Sequence, residues 1–470
     1  MRTHYTTRSL NLSAFAGLPL FVLLLLLPAC KKFVDVKNSR TELPETIVFE
    51  REQSAISATV ALYAKMNDAT FNIFCGGTSV FAGLWSDELV NTTTNATYDP
   101  FLKNQLLSNN STINSRFWSR AYPIIYQANA IVEGLQRSKT VSDSVRNQLT
   151  GEAKLVRAFT YLNLVNLFGE VPLALTTDYR INSTLPRTSV YNVYQQIEDD
   201  LREAAQLLPP VIINGSGRPN KWVAKALLAS VYLYEKKYMQ AESEASEVIG
   251  CGLYALTSNP NNVFTVNSRE IIWQIMPVGT AQLNSPEGNI FIPSSASSRP
   301  TFVLSNQLLS AFENGDLRKS SWTKTVFINN VSYTYPYKYK LRTNASVAEA
   351  NVVLRLAEQY LIRAEARAYT NKVTGNNSAE SDLNVIRSRA GLPNTTAIAL
   401  TEMVDAIVNE RQTELFTEWG HRWFDLKRLD RVNTVLGVNK APGWDAADLV
   451  WPIPISEMNL NVFLTQNPGY

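Results

Sequence analysis

Histidine is almost absent from this chain: two occur in 470 residues, His4 and His421. Cysteine is nearly as scarce, at Cys30, Cys75 and Cys251. With one histidine beyond the extreme N-terminus, neither an HExxH helix nor a cysteine–histidine cluster can be assembled, so a zinc hydrolase lacks its ligands. No GxSxG elbow and no Walker loop occurs, which removes the usual parts of serine-hydrolase and P-loop chemistry. Charge is also sparse. Asp, Glu, Lys and Arg make up 18% of the chain, against about 25% in an average globular protein. A net charge of +3 gives no electrostatic footprint for nucleic acid. Nothing in the motifs calls for a cofactor or a metal.

Aromatic residues are plentiful: 20 Tyr, 19 Phe and 9 Trp. They suit a large core, and they equally suit a carbohydrate site. The N-terminus is more decisive. Arg2 and Arg8 precede an apolar run from Ala14 to Ala29 that ends in LPAC. The run falls short of the ~20 apolar residues of a membrane span and has the build of a signal peptide over 1–29. The LPAC ending is similar to a bacterial lipobox, which would make Cys30 the lipidated mature N-terminus. An ordinary secretory signal with an incidental cysteine is the alternative. Residues 30–45 then read as a polar tether. Cys75 and Cys251 are too few for a disulfide framework; one bridge or two buried thiols are open, with thiols favoured.

The body, 46–470, reads as mainly α-helical. Thr46–Asn67 carries Ile56, Val60, Tyr63 and Met66 at helical spacing. Phe117–Leu135 is helical with Pro123 forcing a kink or a late start. Val141–Phe168 is a long helix stopped by Gly169 and Pro172. Val190–Leu208, capped by Thr188 or Ser189, has an unbroken apolar stripe; its Asp199–Asp200 pair points about 100° apart and reads as a solvated face. Trp222–Ile249 and Val353–Ala390 are helix pairs with small-residue offsets similar to tetratricopeptide repeats. Gly252–Ala350 differs: short strands at Arg269–Ile275 and Val331–Lys340, and loops rich in Gly, Ser, Pro and Asn. The expected fold is therefore a tetratricopeptide-like superhelix with long irregular insertions and few strands, divided 46–251, 252–350 and 351–470.

One stretch organises the rest, Glu410–Leu429, ERQTELFTEWGHRWFDLKRL. Read as a helix, it sets Leu415, Trp419 and Leu426 on one face with Val404 and Val408, and Trp423 at the edge. Arg411 and Arg422 share that face, with Glu414 and Glu418 at its border. Buried cations survive only when paired, so these residues form a structural keystone; an acid/base site at His421 is the functional alternative. Gly420 weakens the helix there by about 1 kcal/mol and allows a break.

ELFTEWGHRWFDLKR resembles the C-terminal signature of the SusD/RagB family of surface nutrient-binding lipoproteins. So do KKFVDV after Cys30, WSDE at 85–88, the Arg157–Pro172 block, FENGDLRKS at 312–320, RLAEQYLIRAEA at 355–366, DLNVIRSRAGLP at 382–393 and the closing QNPGY. The resemblance implies a SusD-like α/α fold and a lipoprotein on the outer face of the outer membrane. It further implies binding without catalysis, with the captured oligosaccharide passed to a SusC-like TonB-dependent transporter. A peptide ligand of RagB type, or a pure assembly scaffold for the transporter, are the other implied roles. The resemblance transfers no ligand residue. Candidates are instead aromatics set in polar loops, Tyr98, Phe101, Phe291, Trp322, Tyr333 and Tyr335, with Asn104 and Arg299 as polar partners. Loop anchoring against the body is the alternative for each.

Overall fold

The computed structural model describes residues 45–211, 217–278, 284–343, 346–440 and 442–470. The signal peptide, Cys30 and most of the tether lie outside them. Among the described residues no helix is long and apolar enough to cross a membrane.

Helices dominate. The first half supplies α1 (Glu52–Met66), α2 (Gly77–Trp85), β1 (Leu89–Asn91), α3 (Ser119–Arg137), α4 (Asp143–Phe168), α5 (Val190–Leu207), α6 (Lys221–Tyr234) and α7 (Tyr238–Gly250). The insertion supplies β2 (Ile271–Ile275), α8 (Pro286–Phe291), β3 (Phe302–Leu304), α9 (Leu317–Trp322), β4 (Thr323–Ile328) and β5 (Val331–Pro336). The chain then forms β6 (Asn351–Arg355), α10 (Leu356–Tyr369), α11 (Ala379–Arg389), α12 (Leu400–Glu414) and α13 (His421–Arg428). Val48–Tyr470 is one compact unit.

The stack is read directly from neighbours: α3 packs on α4, α4 on α5, α5 on α6 and α6 on α7. The next layer on α7 is α10, which also holds α11 and α12. A hundred residues separate α7 from α10, so the insertion leaves and re-enters a continuous helical pile, as the paired-helix reading expects. Local chemistry sets the ends. Ser189 Oγ accepts the Asn192 amide at the start of α5, and Gly169 at φ 72° stops α4. A π-helical turn, Ile113–Trp118, leads into α3, which carries Pro123 in its second turn.

Several expectations need correction. Val60 faces solvent, because α1 lays only one side on α3 and α4. Asp199 is exposed as expected, but Asp200 is buried and forks with Arg157 at 2.6 and 2.8 Å. Both remaining cysteines are free, as the favoured reading has it, but only Cys75 is buried; Cys251 is half-buried. Val353, Leu354 and Arg355 do not open the helix of their motif. They form β6, antiparallel to β2.

The keystone stretch is not one helix. α12 ends at Glu414 and α13 starts at His421. Between them Thr417, Trp419 and Gly420 take φ of 52°, 48° and 75°, which no helix accepts. Long-range bonds hold this loop: the Thr417 amide donates to Glu88 Oε1 (3.3 Å), the Trp419 amide to Ser79 Oγ (3.2 Å) and the Trp419 indole to the Val352 carbonyl (2.8 Å). A Cβ on Gly420 would stand 2.8 Å from that of Ala82.

Candidate ligand-binding face

The loop's charges are paired from across the fold rather than along one helix. Arg411 binds Asp425 (2.7 Å) and Arg422 binds Asp87 (2.7 Å). Glu414 takes Arg318 (2.9 Å), Arg355 and Arg389. Glu418 takes Arg355 (2.8 Å) and Lys338. Burial alone would raise the Glu414 carboxyl, but Arg389, Arg355 and Arg318 hold it well below its ordinary value. Burial lowers Lys338 to about 8 despite Glu418, and its ammonium lies 4.1 Å from the Phe416 ring centroid. Trp419 and Trp423 are both buried. His421 is buried too, and burial pushes its imidazole below the ordinary value while Glu358, 3.8 Å away, opposes. This constellation joins α9, α11, α12, α13, β6 and the segment just after β5 from inside. Its charged side chains are buried and paired with one another.

The outer surface of the insertion is built by strand pairing. β1 pairs antiparallel with β3, Val90 opposite Val303, and Thr92 continues the pairing through Pro300 and Thr301. That brings the Thr- and Asn-rich loop after β1 beside the serine loop 293–301. β5 packs along β3 and pairs with β4 as a hairpin whose turn is Asn329–Asn330. Both turn residues have positive φ, 51° and 63°, the primed-turn conformation that Asn tolerates.

Burial removes most of the expected ligand residues. Phe101 stands in an aromatic cluster 4.6 Å from Phe81 and 5.2 Å from Trp451. Trp322 is fully buried, its indole donating to the Pro260 carbonyl (2.9 Å) and its ring beneath Lys338. Phe291 packs on Phe302 and Tyr335 on Tyr337, and both are buried. Asn104 turns inward at φ 52° and donates to the Trp85 carbonyl. Each anchors a loop to the body. Tyr98 and Tyr333 remain half-buried and Arg299 exposed; Tyr98 leans on Phe302 at 4.8 Å. Arg299 has no ion-pair or hydrogen-bond partner among the described residues.

One residue escaped sequence reasoning. Phe327 is 74% exposed near the hairpin tip, opposite Ser332 and on the same face as Thr325 and Thr334, whose hydroxyls meet at 2.8 Å. The signal was available: TKTVFI-NN-VSYTYP is two alternating runs around a two-residue turn, and its alternation places Phe327 away from Val326 and Tyr333.

Residues 229–470, just over half the chain, match the SusD family model. The chain belongs to the SusD family. Residues 32–233 match a second model of this SusD group, described as starch-binding and associating with the outer membrane. SusD-like protein P2 of Formosa agariphila is 29% identical over 413 residues, covering 76% of this chain and 80% of the relative. A SusD superfamily protein of Bacteroides vulgatus superposes with TM-score 0.79 at 21% identity, over 90% of this chain and 99% of that one. A laminarin-binding SusD-like protein superposes with TM-score 0.75 at 26% identity, over 90% and 100%. The mainly helical SusD-like architecture expected from the motifs is thus the observed one.

Proposed function

We propose that this SusD-family protein is a cell-surface lipoprotein that captures an oligosaccharide and passes it to a SusC-like TonB-dependent transporter. The observation that carries the reading is the face built by the loop after β1, the serine loop and the hairpin. There an exposed ring, hydroxyls and a free guanidinium stand on a rigid scaffold, the mix that recognises a sugar's apolar face and its hydroxyls. Membership in a carbohydrate-binding family supports it, as does a laminarin-binding structural neighbour. Binding without turnover fits the role, since the buried carboxylates and His421 are spent on packing. Cys30 is the anchor in this reading, and Cys30→Ala should release the protein from membrane fractions.

Calorimetric titration of the chain from Lys31 onward against oligosaccharides and mixed peptides tests it. Heat from a glycan, weakened by Phe327→Ala or Arg299→Ala, supports capture through this face. Heat from peptides alone moves the protein to a RagB-type role. Silence toward both, with a transporter that co-purifies, leaves an assembly scaffold.

A further inference from the structure

The insertion has an unusual charge distribution. From Gly288 to Phe312, and again from Leu317 to Ala348, the sequence contains no Asp or Glu. Nor does Leu89–Tyr98, the loop that pairs with Thr301. The same stretches carry seven cations. Arg318 and Lys338 are neutralised inside by Glu410, Glu414 and Glu418. Lys340 is turned inward onto the Ser321 and Tyr337 carbonyls, and Lys319 sits on α9 against the Leu309 carbonyl. Arg299, Lys324 and Arg342 have no carboxylate partner among the described residues. The Lys324 ammonium lies 4.9 Å from the Tyr337 ring centroid. Arg342 keeps a buried Nε without an acceptor, and it follows Leu341, whose carbonyl lies against Gly288 of α8. Elsewhere carboxylates hold many of the cations: Lys154 with Glu203, Lys225 with Glu244, Lys372 with Glu242.

We propose that this face takes an acidic glycan, a chain whose sugars bear carboxylate or sulfate groups, with one ring against Phe327 and an anionic group at Arg299. The inference rests on the glycan-capture reading and narrows its ligand. Three carboxylate-free segments, joined by the Thr92–Thr301 pairing and by β3 lying along β5, carry Arg299, Lys324 and Arg342 unpaired, a balance that attracts an anionic chain and does nothing for a neutral one. A guanidinium meets a carboxylate or sulfate with two parallel N–H bonds. The ring at Phe327, flanked by Thr325, Thr334 and Ser332, suits a sugar's C–H face and hydroxyl rim. Its neighbours on that face of the hairpin are hydroxyls, unlike the broad apolar core of a protein interface.

The test is titration of the chain from Lys31 onward with matched pairs: oligogalacturonate and its methyl ester, and a sulfated oligosaccharide and its desulfated form. The expected result is binding of an acidic member over its neutral partner, weakening as salt is raised from about 0.05 to 0.5 M. Arg299→Gln should lower affinity about tenfold or more, the value of one charge-assisted bond, and Phe327→Ala should lower it too, both with unchanged melting. The two pairs separate uronate from sulfate. Equal binding of neutral partners overturns the acidic assignment and leaves glycan capture standing. Acidic binding that neither substitution moves is charge attraction without a site, and also overturns it. Silence toward every glycan overturns capture itself.

Discussion

Single buried charges decide how this protein responds to mutation and pH. Arg411 shares Asp425 with Arg428, and Glu418 serves both Arg355 and Lys338. Removing one partner leaves the other charged in the interior, so Arg411→Ala or Glu418→Ala should each cost about 3–5 kcal/mol, read by urea denaturation. An unchanged midpoint for both would remove the keystone role. Glu88 behaves oppositely. Burial and then Asp87 raise its carboxyl to about 8, against the pull of Arg422 and the Thr417 amide. The stability tied to its proton is complete below the ordinary glutamate range and is lost as pH climbs toward 8. Glu88→Gln should therefore raise the melting temperature at pH 8 to 9 and change it little near pH 4. Asp425 is held below its ordinary value by Arg411 and Arg428 against burial; the stability it adds is present above the ordinary aspartate range and is lost as acid protonates it. At this scale the sequence told little about loop aromatics. Phe101 and Trp322 sit among polar neighbours in the chain, and polarity of neighbours does not say which way a ring turns. Asp200 is hidden for a related reason: its partner Arg157 lies on another helix.

Elements were legible where a period or a stop signal spanned several turns. α4 and α5 follow from apolar stripes with Ser189 and Gly169 at their ends, and β2, Ile271–Ile275, lies inside the expected strand Arg269–Ile275. The break after α12 was legible only in Gly420, which allows a kink or break; its extent was not, because Leu415, Trp419 and Leu426 fit a helical stripe equally well. Only the contacts with Glu88, Ser79 and Val352 impose the positive φ values. Gly420→Ala tests that break: it adds a Cβ at φ 75° and 2.8 Å from Ala82, and should destabilise by about 2 kcal/mol or more. A full-strength melt would mean the loop relaxes freely. In the hairpin, Asn330→Gly should be neutral or stabilising and Asn330→Val clearly destabilising, since a β-branched residue resists φ 63°. Thermal melts separate these outcomes.

Across the whole molecule the insertion begins and ends at one point. Ile275 and Asn351 face each other as partners in the β2–β6 pair, so everything between them is an excursion from a closed clasp. Doubling the length of such an excursion costs only about 0.6 kcal/mol in closure entropy. That makes the segment an exchangeable cartridge, free to be regrafted between chains that share the helical pile. Yet the cartridge also carries two keys. Arg318 and Lys338 travel with it and neutralise Glu410, Glu414 and Glu418, which stay behind. A graft that brings a new outer face but lacks a cation at those two places inherits three buried carboxylates with too few counter-charges. Such a chimera should fail to fold, while one that keeps both cations should express and melt cooperatively. Ligand range is then free to drift on the outside of the segment only as long as its inner side continues to fit the lock.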